Sequence, residues 1–321
     1  MLWWRPLILN EVYMMSKNSW LLIETGLVFI LNALAAIFLF QCEWPDWIRW
    51  PLYAGVLLFQ GLWYYRCYIV GHEASHKKLI PGNLYLNDLL GSLVLLPLMV
   101  PISIYRKIHY FHHGFNRKNH ETSALDTFVV KGRFRTLKTV YYYGIWYVSA
   151  FLGGFFIHSL VSVVLFLFIP PSLSRRISPA FLHWTWKDQL KSISLFLTGI
   201  SFHGILFWSL GKENYLLAFG WPLLSFAWVL SLMVYIFHYD TTKGDQVRFN
   251  VRSVKHVPFL SWVLMNFNEH ATHHQYPNIP WYELPQKRKQ LPVEFEQQNQ
   301  QTHNFFMAIL RQLKGPLIVY E

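Results

Sequence analysis

Hydrophobic positions in this chain gather in long runs separated by short polar stretches. The first run covers residues 20–40, long enough at about 1.5 Å per residue to cross about 30 Å of hydrocarbon. Glu43, Pro45 and Asp46 form a polar turn, and a second run over 51–70 leads back to Gly71 and His72. A third, over 84–105, is interrupted by Asn87, Asp88, Pro97 and Pro101. It reads as a helix lying in or dipping into the interface, because a crossing there would separate the histidine clusters on its two sides. Residues 141–169, with Gly153 and Gly154 in the middle, lie between basic stretches and read as a dipping hairpin or a pair of surface helices. The last two runs, 192–210 and 215–237, are joined by the polar link 211–214 and read as a transmembrane hairpin ending at His238. The pattern predicts an all-α integral membrane protein with about four transmembrane helices, further interfacial or re-entrant helices, and a cytoplasmic cap ligated by histidine. It predicts one domain over residues 1–321, with a histidine-rich region at 71–285 and a polar C-terminal tail at 286–321.

Composition sharpens this picture. The chain is 53% hydrophobic and 14% charged, against about 25% charged for an ordinary soluble domain. Aromatics make up 18%, with 15 Trp, which suits a chain with much of its surface at a bilayer interface. The formal charge of +11 is scattered between apolar runs, with no basic stripe, RNA motif or zinc finger, so no nucleic-acid partner is expected. Positive-inside loops explain it. Arg106, Lys107, Arg117, Lys118, Lys131, Arg133 and Arg135 then mark the cytoplasmic face. Cys42 and Cys67 are too few for a disulfide framework or a cysteine metal site. The head, residues 1–18, is followed by a run without a small-residue cleavage site, which reads as a retained helix rather than a signal peptide.

The candidate chemistry lies in three histidine clusters: HEASH with His72 and His76, HYFHH with His109, His112 and His113, and HATHH with His270, His273 and His274. On a helix, i, i+3 and i+4 share a face, so each trio is expected to aim its imidazoles at one place. His238, at the exit of the last run, could add a ninth ligand. More than four nitrogen ligands exceed what one tetrahedral ion can use, so two metals are implied. Imidazole suits iron and zinc alike. His120, His158, His183, His203, His256 and His303 stand alone and read as ordinary surface or hydrogen-bonded residues. Glu73, Asp126, Asp240 and Glu269, inside or next to the clusters, are candidates to orient the ligand rings. HEASH also fits the HExxH of zinc metalloproteases, with Glu73 as general base, but a protease would leave the other two clusters unexplained.

Taken in order and at these separations, HEASH, HYFHH and HATHH resemble the three histidine boxes of the membrane fatty acid desaturase superfamily, over residues 71–285. The following PNIPWYELP resembles the Pro-containing segment after that family's final box. The resemblance implies a non-haem di-iron centre held by the eight box histidines, with His238 matching an extra histidine after the last span, O₂ as co-substrate and a fatty acyl chain of a lipid or thioester as substrate. Asn268 is a candidate for an asparagine acting through water. The expected activity is desaturation. A hydroxylase or carotenoid ketolase of the same superfamily is the nearest alternative, ahead of a zinc protease or a catalytically dead lipid-binding relative. The chain has no HPGG haem motif, cysteine cluster or GxGxxG fingerprint. An external donor, ferredoxin or cytochrome b5, with its reductase is therefore expected, steered by the basic face.

Overall fold

The computed structural model describes residues 5–120, 124–300 and 304–321, with side chains from residue 17 onward; His303 lies outside the described residues. The chain is predominantly helical. In order come α1 (Arg5–Gln41), α2 (Asp46–Ser75), α3 (Leu84–Leu95), α4 (Ile102–Phe115), β1 (Thr127–Val130), α5 (Arg135–Phe151), α6 (Gly154–Phe168) and α7 (Pro171–Ile177). They are followed by α8 (Trp186–Tyr215), α9 (Trp221–Val234), α10 (Pro258–Val263), α11 (His270–Gln275), α12 (Val293–Asn299), α13 (Phe305–Arg311) and β2 (Leu317–Tyr320). These elements form two compact units, one of Met1–Arg106 with Trp184–Phe226 and the other of Lys107–His183 with Ala227–Glu321.

Among the described residues, Lys17–Gln41 and Trp186–Val234 are long and apolar enough to cross a membrane, with up to four spans if each of two bent helix pairs counts as one. α1 turns Ile23, Leu27, Ile30, Leu34 and Phe38 outward, as a helix facing lipid must. It begins at Arg5, well before the apolar run, because nothing between the two breaks a helix. α2 is of spanning length but falls outside the apolar set, since Gln60 and Arg66 interrupt it. Both polar groups are spent on α1: Gln60 accepts from Asn32 at 2.8 Å, and the buried Arg66 pairs with Glu24. Trp63 Nε1 adds a bond to the Thr25 carbonyl at 2.8 Å.

The polar residues that interrupt the 84–105 run turn out to fasten it. Asn83 caps α3 by accepting from Leu86 N at 3.0 Å. Asn87, fully buried, donates to the Ala74 carbonyl at 2.9 Å and accepts from Leu79 N at 3.1 Å. Asp88 pairs with Arg106 at 2.5 Å, so Arg106 is committed to an internal ion pair rather than a free marker of the cytoplasmic face. The helix ends where Met99 turns left-handed, at φ 55°, ahead of Pro101. The expected turn over 211–214 is present within the continuous helical stretch: Gly211 adopts φ 74°, ψ 160°. His203 Nδ1 lies 3.0 Å from Tyr215 OH, whereas a straight helix would hold residues twelve apart at roughly 18 Å. The chain therefore folds back there.

In the second unit, α5 and α6 meet at a 92° bend within the expected 141–169 hairpin, where Gly153 supplies φ 80°. Trp146, Ala150, Tyr235 and Tyr239 form its core, with Phe155 packed against them. The C-terminal tail is more than a polar appendage: β2 pairs in parallel with β1, with Thr127 opposite Leu317 and Val130 opposite Tyr320.

Gly61 gives the clearest packing test. A Cβ there would stand 2.9 Å from the backbone of Ser225 on α9, while one at Gly55 meets nothing within 4 Å. We expect Gly61→Val to cost about 1–3 kcal/mol by overpacking and Gly55→Ala to be neutral or stabilising by up to about 1 kcal/mol, read from thermal unfolding in detergent. Equal melting of Gly61→Val and wild type would refute the close approach of α2 and α9.

Candidate metal centre

The second unit gathers seven histidines from three places. α4 carries His109, His112 and His113, the turn after α9 carries His238, and the short α11 carries His270, His273 and His274. Two successive left-handed residues, Met265 (φ 51°) and Asn266 (φ 57°), swing the chain into α11. The helix is held against the extended strip before α10 by Ala271 N donating to Ser253 Oγ at 3.0 Å and Val254 N donating to the Asn268 carbonyl at 3.0 Å.

The trios do not aim at one place. His112, His238, His270 and His274 form one group, with ligand nitrogens all within 4.8 Å of one another. His109, His113 and His273 form part of a second, with the same spread. Each HxxHH box is thus divided, the i, i+4 pair going to one group and the i+3 histidine to the other. Helical geometry explains this correction. At about 100° per residue, i+4 lies about 40° from i on one side and i+3 about 60° away on the other. HYFHH sends its pair to the second group and HATHH sends its pair to the first.

Neighbouring nitrogens within each group nearly touch. His238 Nε2 lies 2.9 Å from His270 Nε2, and His112 Nε2 lies 3.2 Å from His274 Nε2. In the other group, His113 Nε2 is 3.0 Å from both His109 Nε2 and His273 Nε2. Ligands at right angles on a bond of about 2.1 Å stand roughly 3.0 Å apart, and tetrahedral ones roughly 3.4 Å, so the spacings fit the coordination shell of a metal ion. Burial, followed by the nearby His112 side chain, pushes the His238 pKa well below the usual imidazole value; burial, followed by His113, does the same for His274. The rings are therefore neutral near pH 7 and keep the lone pair a metal requires. The residues present fit a metal ion in each group.

In the first unit, His72 and His76 lie at the end of α2, ring centroids 4.8 Å apart. Glu73 Oε1 is 3.6 Å from His72 Nδ1, beyond hydrogen-bond distance. The other acidic candidates meet guanidinium groups. Asp126 pairs with Arg117 at 2.5 Å, Asp240 with Arg311 at 2.5 Å and Glu269 with Arg288 at 3.4 Å. Burial raises the Glu269 pKa, opposed by Arg288. Asn268 is buried beside Glu269, to which its amide donates at 3.2 Å. Neither group includes His120, His158, His183, His203 or His256. His203 is satisfied by Tyr215 and the Pro97 carbonyl, and His120 lies 3.2 Å from Glu321 Oε1.

Residues that sequence reasoning passed over hold the site together. Arg117 is fully buried rather than a surface charge and donates to the Thr241 carbonyl at 3.0 Å. Asn250 donates to the Gly244 carbonyl at 3.0 Å, and Arg252 N donates to the Phe237 carbonyl at 2.8 Å. The available signal was an Arg and an Asp nine residues apart, directly after a metal-ligand cluster.

The sequence matches the fatty acid desaturase family over residues 48–306. It is 23% identical over 296 residues to the chloroplastic omega-3 fatty acid desaturase of Ricinus communis, covering 84% of this chain and 58% of that protein. It is 24% identical over 275 residues to the sn-1 acyl-lipid omega-3 desaturase (ferredoxin) of Synechocystis sp., covering 82% of this chain and 71% of the relative. Similarity to the sn-1 oleoyl-lipid 12-desaturase of Picosynechococcus sp. is 21% over 264 residues, covering 73% of this chain and 67% of the relative. The chain spans just over half the length of the plastid relatives, 58% and 53% for the Ricinus communis and Glycine max proteins.

We expect His274→Ala to lower bound metal measured by elemental analysis, and His203→Ala to leave it near wild type; the reverse result would reject the ligand grouping. In metal-free protein, His238 and His274 take up protons in the unfolded chain before they do in the folded one. The unfolded state then binds more protons, so stability is highest above about pH 6.5 and is lost progressively as pH falls from there towards the depressed folded values. Melting temperatures of chelator-treated protein between pH 7.5 and 5 check this; a flat profile counts against buried neutral imidazoles.

Proposed function

The chain belongs to the fatty acid desaturase family, and from that premise we propose that it is an O₂-dependent membrane desaturase that introduces a double bond into the fatty acyl chain of a lipid. The observation that carries this reading is the division of both HxxHH boxes between two histidine groups, which calls for a pair of metal ions rather than one. We propose that His72 and His76 supply the remaining ligands beside His109, His113 and His273, and that both ions are iron. When bound, a pair of irons with O₂ supplies an oxidant strong enough to take hydrogen from an unactivated C–H bond.

The overall reaction balances as –CH₂–CH₂– plus O₂, two electrons and two protons giving –CH=CH– and two waters. We take the electrons to come from an external one-electron carrier. Ferredoxin is favoured by the printed name of the Synechocystis relative, and an acyl-lipid substrate by the names of the cyanobacterial relatives. The chain's own residues position and shield. The converging imidazoles would hold the metals. Exposed Lys118, Lys131, Arg133, Arg135, Lys287, Arg288 and Lys289 supply positive charge that would favour a cytoplasmic orientation for the histidine boxes and attract an acidic donor.

Expression with ferredoxin and its reductase, followed by mass spectrometry of extracted lipids, tests the activity. We expect acyl chains lighter by two hydrogens, and their absence in a His273→Ala variant that still inserts in the membrane. Retained product in that variant would remove His273 from the centre. A gain of oxygen without loss of hydrogen pairs would move the assignment to a hydroxylase.

A further inference from the structure

We propose that the C-terminal segment 304–321 is a positioning strap for His238, and through it for the group of His112, His238, His270 and His274. The inference rests on the metal reading above and extends it to residues mostly beyond the family match, which ends at 306.

His238 is the one member of its group supplied by a turn rather than a helix. Several contacts hold that turn, among them Arg252 N donating to the Phe237 carbonyl at 2.8 Å. Asp126 accepts from Asp240 N at 2.7 Å, Arg311 pairs with the Asp240 carboxylate at 2.5 Å, and Tyr239 OH donates to the Gly315 carbonyl at 2.6 Å. Asp240 sits at φ 54°, a left-handed conformation uncommon for non-glycine residues but one that Asp adopts more readily than most. Two of these contacts, from Arg311 and Gly315, come from the strap. The strap in turn is anchored along its length: Trp146 Nε1 donates to the Gln312 carbonyl at 2.9 Å and Gln312 Nε2 to the Leu232 carbonyl at 3.0 Å. Leu317 N donates to the Asp126 carbonyl at 2.8 Å, where β2 joins β1. Asp126 thus ties the strap and the turn together, its carbonyl bound to one and its carboxylate to the other.

Gly315 is the pivot. It adopts φ 91°, and a Cβ there would run into the Tyr143 ring. A larger residue must displace either the Tyr143 ring or the strap segment that accepts from Tyr239, the neighbour of His238. Arg311 acts through the Asp240 carboxylate rather than through an imidazole, which makes it a positioning residue.

The test is titration of iron(II) into chelator-stripped full-length protein in detergent, with far-UV circular dichroism as the check on folding. We expect wild type to show two binding phases, and Arg311→Ala and Gly315→Ala to weaken one of them about 10–100-fold while the other and the helical signal stay put. Arg311→Lys, which keeps the charge facing Asp240, should recover most of the lost affinity. If Arg311→Ala loses helical signal, Tyr239→Phe, which deletes only the hydroxyl bonded to Gly315, carries the test by the same criteria. Variants that titrate like wild type would overturn the strap while leaving the metal reading intact, and equal weakening of both phases would also overturn it. Wild type that binds no iron would overturn both.

Discussion

Lone pairs on converging neutral imidazoles repel unless something positive lies between them, and seven histidine rings are crowded into one unit of this protein. Nitrogens 2.9 to 3.2 Å apart can share a proton in pairs, but no arrangement of protons satisfies four converging rings as well as a cation at their centre does. Desolvation compounds the demand, since it holds His238 and His274 in the uncharged form. The scaffold must therefore supply rigidity that the rings do not provide for themselves. Much of the polar structure around the site follows from that need.

The rigidity comes from buried charge. Arg117 and Asp126 form an ion pair that is almost fully buried, and breaking such a pair by removing one partner generally costs about 3–5 kcal/mol. Net stability is not its evident purpose, since apolar replacements often serve as well. Its geometry is more telling. Arg117 follows His113 by four residues and reaches the carbonyls of Thr241 and Thr242, while Asp126 reaches the amide of Asp240. One ion pair thus links the helix bearing three of the clustered histidines to the turn bearing a fourth. Asn250 and Arg252 extend the same lattice into the strip that leads to α11.

Much of this was legible in the sequence. Long apolar runs gave α1 and the α8–α9 hairpin, the polar link at 211–214 marked its turn, and Gly153 marked the bend between α5 and α6. The histidines that converge in the two groups stood out by spacing alone. What stayed hidden depends on distances along the chain that no local pattern reports. Arg106 and Arg117 looked like surface charge because a basic residue carries no mark of a carboxylate 18 or nine residues away. Asp126 and Asp240 looked like partners for imidazole because proximity in sequence to a histidine is the only cue available there. The tail looked peripheral because β2 is four residues long and pairs with a strand far upstream.

The spacing HxxHH itself carries more information than a shared face. Since i+3 and i+4 diverge by about 100°, a single helix presenting all three rings inward can satisfy one ion only by straining one of them, whereas two ions side by side accept the trio without strain. α4 gives two histidines to one group and one to the other, and α11 does the reverse, so the two helices form a complementary pair. A rotation of either helix would disturb both groups together. Ions held in this way would keep a fixed relation to each other, and the supporting network braces α4, the His238 turn and the approach to α11 as one assembly.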